Sequence, residues 1–294
     1  MPITASEVKA LRERTGAGMM ECKKALTETD GDLDEAIALL RKKGAASAEK
    51  KSGRIAAEGV IELGVNAERT LAVLLELNCE TDFVAKDDSF RSFAREIAGA
   101  LMNRRPVSVE EAAGLELSGG QTIEAARQEL IAKIGENISL RRFELIDGEA
   151  GTLAGYVHGS RIGVVVQLNA SSAEEVGRDI AMHIAASRPL CIDENAMPAE
   201  VLQKERDIYS AQAAESGKPA EIVEKMVSGR ISKFLKENTL VGQPFVKNPD
   251  QTVGELLAGH GAAVLTMHRF EVGEGLEKRS DDFVAEVMAQ AQGG

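Results

Sequence analysis

Apolar positions in the first fifty residues recur at the spacing of short amphipathic helices. Val8 and Leu11 fall on one face of a first helix, for which Thr4 or Ser6 provides an N-cap. The stretch TGAGMMECKKAL then ends this helix with two glycines and begins a second one. This part of the chain is therefore predicted to be helical.

A third helix is predicted in the stretch DGDLDEAIALLRKKG, starting at Asp30 or Asp32. Gly44 is expected to end this helix, and the following AASAEKKSGR is typical of a polar linker. Three short helices in about fifty residues resemble a bundle of ubiquitin-associated type. The apolar face of its third helix consists of Leu33, Ile37 and Leu40.

Beyond the linker, short apolar runs separated by turn residues predict β-hairpins. EGVIELGVNAERTLAVLLELN reads as two strands around a turn at Asn66, and AGYVHGSRIGVVVQLN as two strands around a turn at His158. Each predicted hairpin is followed by a helix, and ISLRRFELIDGE and VLTMHRFEVGEG predict a matching third strand for each. Each half is therefore predicted to consist of a hairpin, a helix, a further helix and a strand, as an imperfect repeat.

The second copy of this unit is longer than the first. Leu77 corresponds to Leu168, 91 positions later, whereas Phe143 corresponds to Phe270, 127 positions later, so the second copy carries 36 extra residues. Two amphipathic helical arms joined by the turn SGKP account for the insertion. Neither arm can bury its apolar stripe alone, which predicts an antiparallel helical hairpin and leaves dimerisation through it open.

These patterns predict an α+β fold. Its parts are an N-terminal three-helix bundle, a two-part α/β core of repeated antiparallel-sheet halves, an inserted antiparallel helical hairpin and a C-terminal helix in SDDFVAEVMAQ. The predicted boundaries are 1–54 for the bundle, 55–148 for the first core half, 149–197 and 240–276 for the second, 198–239 for the hairpin and 277–294 for the C-terminal module.

The composition narrows the classes of partner. The net charge is −12, aromatic residues make up 3% and tryptophan is absent, so neither a phosphate-binding face nor base-stacking platforms are indicated. No apolar run reaches the roughly 20 residues of a membrane span, and the N-terminus lacks the layout of a secretory signal. Three well-separated cysteines fit a reducing compartment. We expect a cytoplasmic protein that binds another protein, without direct nucleic-acid or membrane contact.

The sequence offers little support for an enzyme. It has no G-x-x-x-x-G-K-[ST] phosphate loop and no histidine pair at metal-ligand spacing. Cys79 with His158 or His183 could form a nucleophile and base. The alternatives are that Cys79 ends a buried strand and that His183 is a core or interface histidine. We expect no catalytic residue, no metal site and no cofactor.

The stretch LLELNCETDFVAKDDSF allows two interpretations of Phe83. This residue precedes Phe90 by seven positions, the helical phase of the buried face, so it could belong to the core. However, Asp87 and the residues after it form a helix start signal, which places the regular helix beyond Phe83 and leaves Phe83 at a tip. The pattern alone leaves both alternatives open.

Several motifs in the same order resemble the bacterial translation elongation factor Ts family, from about Ile3 to about Phe283. These motifs are RERTGAGMMECKKAL, TDFVAK, AKIGENISLRR, YVHGSRIGV, IAMHIAASRP, GQPFVKNPDQTVGELL and RFEVGEG. The resemblance implies a nucleotide exchange factor for the GTPase elongation factor Tu, with no active site of its own. It also implies that the segment matching the one that disturbs the magnesium site of the GTPase consists of Thr81, Asp82, Phe83 and Val84.

The resemblance implies further partner contacts in two other places. In the N-terminal bundle they are Arg12, Met19 and Met20, although adjacent methionines in a small bundle are more often partly core. At the second hairpin they are His158, Gly159 and Arg161, although a structural turn with a solvated histidine would explain this motif as well. A homodimer or a two-plus-two complex with the GTPase is left open. A function of a different class, a non-catalytic adaptor that binds protein ligands through the ubiquitin-associated-like bundle, remains the alternative.

Overall fold

The computed structural model describes residues 3–148, 151–169, 174–215 and 219–276. Within these residues the α-helices are α1 (Ala5–Thr15), α2 (Met19–Glu28), α3 (Leu33–Lys51), α4 (Asp82–Ala85), α5 (Asp88–Arg104), α6 (Val109–Ala113), α7 (Ile123–Ile134), α8 (Glu174–Ser187), α9 (Ala199–Ala214), α10 (Ala220–Asn238) and α11 (Val253–Gly259). The strands are β1 (Glu58–Val65), β2 (Leu71–Cys79), β3 (Ser139–Asp147), β4 (Thr152–His158), β5 (Ile162–Leu168), β6 (Pro244–Phe245), β7 (Asn248–Thr252) and β8 (Val264–Glu271).

The first three helices form the predicted N-terminal bundle. Thr4 caps α1, since its hydroxyl accepts the Glu7 N–H at 3.3 Å while the Glu7 carboxylate accepts the Thr4 N–H at 2.7 Å. Leu11, Cys22 and Leu26 are fully buried between the helices. The helical bundle that the apolar spacing predicts is confirmed.

The expected end of α3 at Gly44 is wrong. The helix continues through Gly44 to Lys51, so most of the stretch interpreted as a polar linker is helical. Gly44 and Ala48 are buried, and the carbonyl oxygen of Gln128 in α7 lies 3.6 Å from the position that a Cβ at Gly44 would occupy. The packing of α3 along α7 therefore outweighs the roughly 1 kcal/mol that glycine costs inside a helix.

The two predicted hairpins are present, each with a third strand. One sheet has the strand order β1-β2-β3 and the other β4-β5-β8. In the second, β4 and β5 pair antiparallel with His158 opposite Ile162, and α8 packs on both strands through Ile180 and Ile184. The matching strand orders confirm the α+β fold class and the repeated sheets.

The inserted segment consists of α9 and α10, which pack against each other. Arg230 of α10 donates a hydrogen bond to Gln212 of α9 at 2.6 Å and lies over the ring of Tyr209. Sequence reasoning missed β6 and β7, a short antiparallel pair after this insertion. Their stretch PFVKNPDQT contains two prolines and no apolar alternation, so nothing in its pattern indicates strands.

The described residues divide into two compact units. One takes in those within 1–62, 75–144 and 271–294, and the other those within 63–74 and 145–270. The predicted domain boundaries remain predictions. The predicted C-terminal helix lies outside the described residues.

Candidate functional site

The segment after β2 presents Phe83 to solvent. Strand β2 ends at Cys79, and α4 begins two residues after Glu80, with Thr81 as its N-cap. Phe83 is 81% exposed, whereas Val84, the next residue, is buried at 9%. The core interpretation of Phe83 is therefore wrong, and α4 carries an exposed aromatic ring anchored by the buried side chain beside it.

The start of the next helix explains why α4 ends so soon. Asp87 caps α5, its carboxylate accepting the N–H groups of Ser89 at 2.8 Å and Phe90 at 3.2 Å. Hydrogen bonding, chiefly from the Ser89 hydroxyl, holds the pKa of Asp87 below its usual value. The predicted start of the regular helix after Phe83 is confirmed. Within α4, Asp82 is exposed and pairs with Lys86 at 2.6 Å.

A carboxylate from a distant part of the chain holds the start of α4. One oxygen of Glu136 accepts the backbone N–H groups of Glu80 and Thr81, both at 3.0 Å. The other accepts the Thr81 hydroxyl proton at 2.6 Å. Sequence reasoning missed Glu136 because it lies 55 residues from Thr81 and no local pattern links them. The only available signal was its place in the motif AKIGENISLRR.

Cys79 is the last residue of β2 and is buried. The interpretation that it ends a buried strand is confirmed. The side chain is fully buried and its Sγ donates a hydrogen bond to the Thr81 carbonyl oxygen at 3.2 Å. Burial, with the nearby charge of Glu136, raises the pKa of the Cys79 thiol to about 12. Because the thiolate is the nucleophilic form, this raised pKa disfavours Cys79 as a nucleophile at neutral pH.

The N-terminal candidates also lie at the surface. Met19 and Met20 open α2 and are 61% and 65% exposed, and Arg12 is exposed in the last turn of α1. The buried face of α2 is formed by Cys22 and Leu26 instead. The interpretation of the two methionines as partly core is therefore wrong.

The turn between β4 and β5 carries the third group of candidates. Gly159 and Ser160 adopt left-handed conformations, with φ of 56° and 60°, which close the hairpin tightly. His158 is exposed, and its Nδ1 lies 3.0 Å from the Tyr156 hydroxyl, so the tyrosine restrains the imidazole ring. The Arg161 N–H donates to the His158 carbonyl oxygen at 3.0 Å.

Comparison with known proteins decides the family. A sequence model described as Elongation factor TS matches residues 80–274, well over half of the chain. This chain belongs to the elongation factor Ts family. Curated relatives named Elongation factor Ts include those of Methylococcus capsulatus, 59% identical over 292 residues and 99% of each chain, and Thioalkalivibrio sulfidiphilus, 58% identical over 294 residues and the whole of both chains. That of Legionella pneumophila (strain Paris) is 52% identical over 290 residues, 99% of each chain.

Membership of the elongation factor Ts family makes this chain a factor of translation elongation in protein biosynthesis. The family match contains the tip of α4, Glu136 and the β4–β5 turn. Arg12, Met19 and Met20 precede it but fall within the full-length similarity to the relatives.

In this elongation factor Ts family member, His183 lies in the core. The interpretation of His183 as a core histidine is confirmed. It is fully buried, with Nε2 2.9 Å from the Gln243 side-chain oxygen, and its Nδ1 accepts the Val246 N–H at 3.2 Å. These two bonds require a neutral ring protonated on Nε2. Burial lowers the pKa of His183 below its usual value, although the bond to Gln243 opposes this effect.

Among residues 3–148, 151–169, 174–215 and 219–276, no group of three or more His, Cys, Asp or Glu side chains could hold a metal ion. No helix in these ranges is long and apolar enough to cross a membrane.

Proposed function

We propose that this chain is a guanine nucleotide exchange factor, which binds elongation factor Tu in its GDP state and promotes GDP release during translation elongation in the cytoplasm. Support comes from its membership of the elongation factor Ts family and from full-length relatives that are more than half identical. The observation that carries the proposal is the 81% exposed ring of Phe83 on α4, next to the exposed carboxylate of Asp82.

The chemistry of the partner site explains what such a tip can do. A GTPase holds GDP through backbone amides and a Mg²⁺ ion that bridges phosphate and protein oxygens. Mg²⁺ requires near-ideal octahedral geometry, so a small displacement of its surroundings weakens nucleotide binding. Phe83 acts as an apolar wedge between helices of the nucleotide domain. Asp82, at the same tip, alters the local charge balance.

The differential binding free energy that fast GDP release requires is larger than this tip alone can supply. Because coupling between two ligands is reciprocal, a factor that weakens GDP binding must itself bind the GDP-loaded GTPase more weakly than the empty one. An acceleration of about 10⁴-fold corresponds to about 5.5 kcal/mol of differential interaction. A single hot spot rarely supplies that much, so the interface is large and distributed. Its further contacts are Arg12, Met19, Met20, His158, Gly159 and Arg161.

The factor acts through binding alone in this proposal. No residue of the chain makes or breaks a covalent bond, and the protonated state of Cys79 agrees with that. A one-to-one complex and a two-plus-two complex, in which two copies of this chain meet, are both compatible with the mechanism.

The test is the release of a fluorescent GDP analogue from elongation factor Tu, with increasing amounts of this protein. We expect fast release with the wild type. With the Asp82→Ala/Phe83→Ala double variant, the maximal rate should fall about 30-fold or more, because two interface hot spots are removed.

The matched control is Val107→Ala, which removes a 92% exposed apolar side chain outside the proposed contacts. This variant should behave as the wild type. Slow release with the wild-type protein would contradict the exchange function. Fast release with the double variant would leave the function intact but remove the tip of α4 as its trigger.

A further inference from the structure

The exposed ring of Phe83 has little packing of its own to hold it in place. At 81% exposure it makes few contacts, so its position depends on the backbone that carries it. That backbone enters α4 through Thr81, whose hydroxyl accepts the Val84 N–H at 3.4 Å. The orientation of the tip therefore depends on Thr81, two residues before Phe83, as well as on the buried Val84.

Three hydrogen bonds to one carboxylate determine the conformation at this point. Glu136 accepts the N–H groups of Glu80 and Thr81 at 3.0 Å each and the Thr81 hydroxyl proton at 2.6 Å. Hydrogen bonds to an ionised acceptor are shorter and about twice as strong as neutral ones. Both Glu136 and Thr81 are half-buried, so water competes only partly for these bonds.

The loop that carries Glu136 is itself fixed by the same neighbours. The Glu80 carboxylate accepts the Asn137 N–H at 2.6 Å, so each loop provides a carboxylate to the backbone of the other. The buried Asn137 side chain also donates to the Arg54 carbonyl oxygen at 2.8 Å. The loop of Glu136 is therefore itself held in place, and the carboxylates of Glu80 and Glu136 link the two loops by hydrogen bonds.

We propose that Glu136 is a positioning residue for nucleotide release, which holds α4 so that Asp82 and Phe83 meet the partner in the orientation that displaces its magnesium site. This inference rests on the proposed exchange function. Glu136 is set back from the tip and acts through Thr81. Loss of its carboxylate leaves the start of α4 held chiefly by the buried Val84 and Ala85, so the tip samples more orientations and promotes release less often.

The kinetic test compares Glu136→Ala and Glu136→Gln with the wild type in nucleotide release from elongation factor Tu. For Glu136→Ala we expect the maximal release rate to fall about tenfold, the size expected for lost charge-assisted hydrogen bonds. The half-saturating concentration should change less than about twofold, because the rest of a distributed interface is intact. Glu136→Gln should recover most of the rate, since its amide oxygen can accept both N–H groups while its NH₂ donates to Thr81.

The matched control is Asp193→Ala. The Asp193 carboxylate also accepts two backbone N–H groups, those of Asn195 at 2.9 Å and Ala196 at 3.0 Å, but it caps a short 3-10 helix (Glu194–Ala196) in the other compact unit. A merely destabilising loss of two such bonds should therefore appear equally in Asp193→Ala. We expect the maximal release rate of that variant to match the wild type.

A second readout follows the tip without the partner. The chain has no tryptophan, so Phe83→Trp introduces a single indole at the tip. Combined with Glu136→Ala, this probe should show lower fluorescence anisotropy than Phe83→Trp alone, because the tip moves faster than the whole molecule. Combined with Asp193→Ala, its anisotropy should stay unchanged.

The outcomes separate the two proposals. If the wild type fails to accelerate release, the exchange function and the role of Glu136 both fall. If the wild type accelerates release and Glu136→Ala does so equally well, or with unchanged anisotropy of the probe, only the positioning role is overturned. An equal loss of rate in Asp193→Ala also overturns it.

Discussion

Phe83 and Phe90 lie seven residues apart, yet one is 81% exposed and the other fully buried. Helical phase predicts that both face the core, and only the caps provided by Thr81 and Asp87 break that phase. The cap at Asp87 is recognisable from the sequence as a helix start signal. The sequence contains no local signal for Glu136, because hydrogen bonds between distant loops depend on the completed tertiary structure.

The exposed methionines of α2 allow a prediction at the residue scale. Met19→Ala/Met20→Ala should leave the free energy of unfolding within about 0.5 kcal/mol of the wild type, because both side chains are mostly solvated. In the proposed interface with the GTPase both side chains become buried, so their loss should raise the concentration for half-maximal GDP release about tenfold. Thermal unfolding and release kinetics measure the two effects.

Leu190→Ala is the control for the methionine variant, since Leu190 is 54% exposed and outside the proposed contacts. Its release kinetics should equal those of the wild type. An unchanged half-saturating concentration for the methionine variant would show that α2 lies outside the interface.

At the scale of elements, the pattern predicts helices and strands well and their ends less well. Glycine and a polar composition suggested a linker after Gly44, but burial of Gly44 and Ala48 against their neighbours keeps α3 helical to Lys51. The contact of Gly44 with Gln128 of α7, about eighty residues later in the chain, is a tertiary effect that local composition cannot predict. The same limit explains why β6 and β7 were missed.

Gly44 and Gly229 provide a prediction at this scale. Gly44→Ala should stabilise the fold by about 0.5–1 kcal/mol, because alanine restricts the unfolded chain and its Cβ would make ordinary contacts at 3.6 and 3.9 Å. Gly229→Ala in α10 should do the same, since nothing lies within 4 Å of its Cβ position. Urea unfolding measures both.

Gly59→Ala is the opposite control. Its φ of +147° belongs to glycine, and a Cβ there would lie 2.1 Å from the Leu77 carbonyl oxygen, so this variant should be strongly destabilised. A loss of stability in Gly44→Ala would show that the contact of α3 with α7 is too tight for a methyl group.

At the scale of the whole molecule, the internal repeat predicts two sheets of the same strand order but not the buried charge pairs within the first of them. Glu76 is fully buried and accepts hydrogen bonds from Arg141 at 3.0 Å, Arg142 at 2.7 Å and the Gly273 N–H at 2.8 Å. Burial alone would raise the pKa of Glu76, but these bonds and that of Asn78 lower it below its usual value. Such a cluster of residues far apart in the chain is invisible to periodicity.

Two buried groups make global stability depend on pH. Because the pKa of His183 is lowered in the folded state, the unfolded state binds more protons than the folded state just below pH 6.5. The free energy of unfolding is therefore unaffected by this group above pH 6.5 and falls as the pH decreases below it. The slope can reach about 1.4 kcal/mol per pH unit for one group. Glu76 adds a second loss below about pH 4.5, since its pKa is also lowered. Urea unfolding between pH 7 and 5.5 covers the range in which His183 contributes and lies above the range of Glu76.

The His183→Gln variant should lose most of this slope between pH 7 and 5.5, whatever its absolute stability. The control is His260→Gln, which removes an exposed imidazole and should keep the wild-type slope. Equal slopes in the wild type and the His183→Gln variant would contradict the role of the buried imidazole.

The reciprocal hydrogen bonds between the loops at Thr81 and Asn137 also affect when the tip is fixed during synthesis of the chain on the ribosome. Strand β2 and its hairpin partner are made first, but the carboxylate that fixes Thr81 follows 55 residues later. At about 5–20 residues per second, the emerging chain carries an unsecured tip for roughly 3–11 s. From the proposed role of Glu136, we expect a nascent chain to hold its tip in the productive orientation only after the α7–β3 loop has left the ribosome, even where the first hairpin has folded earlier.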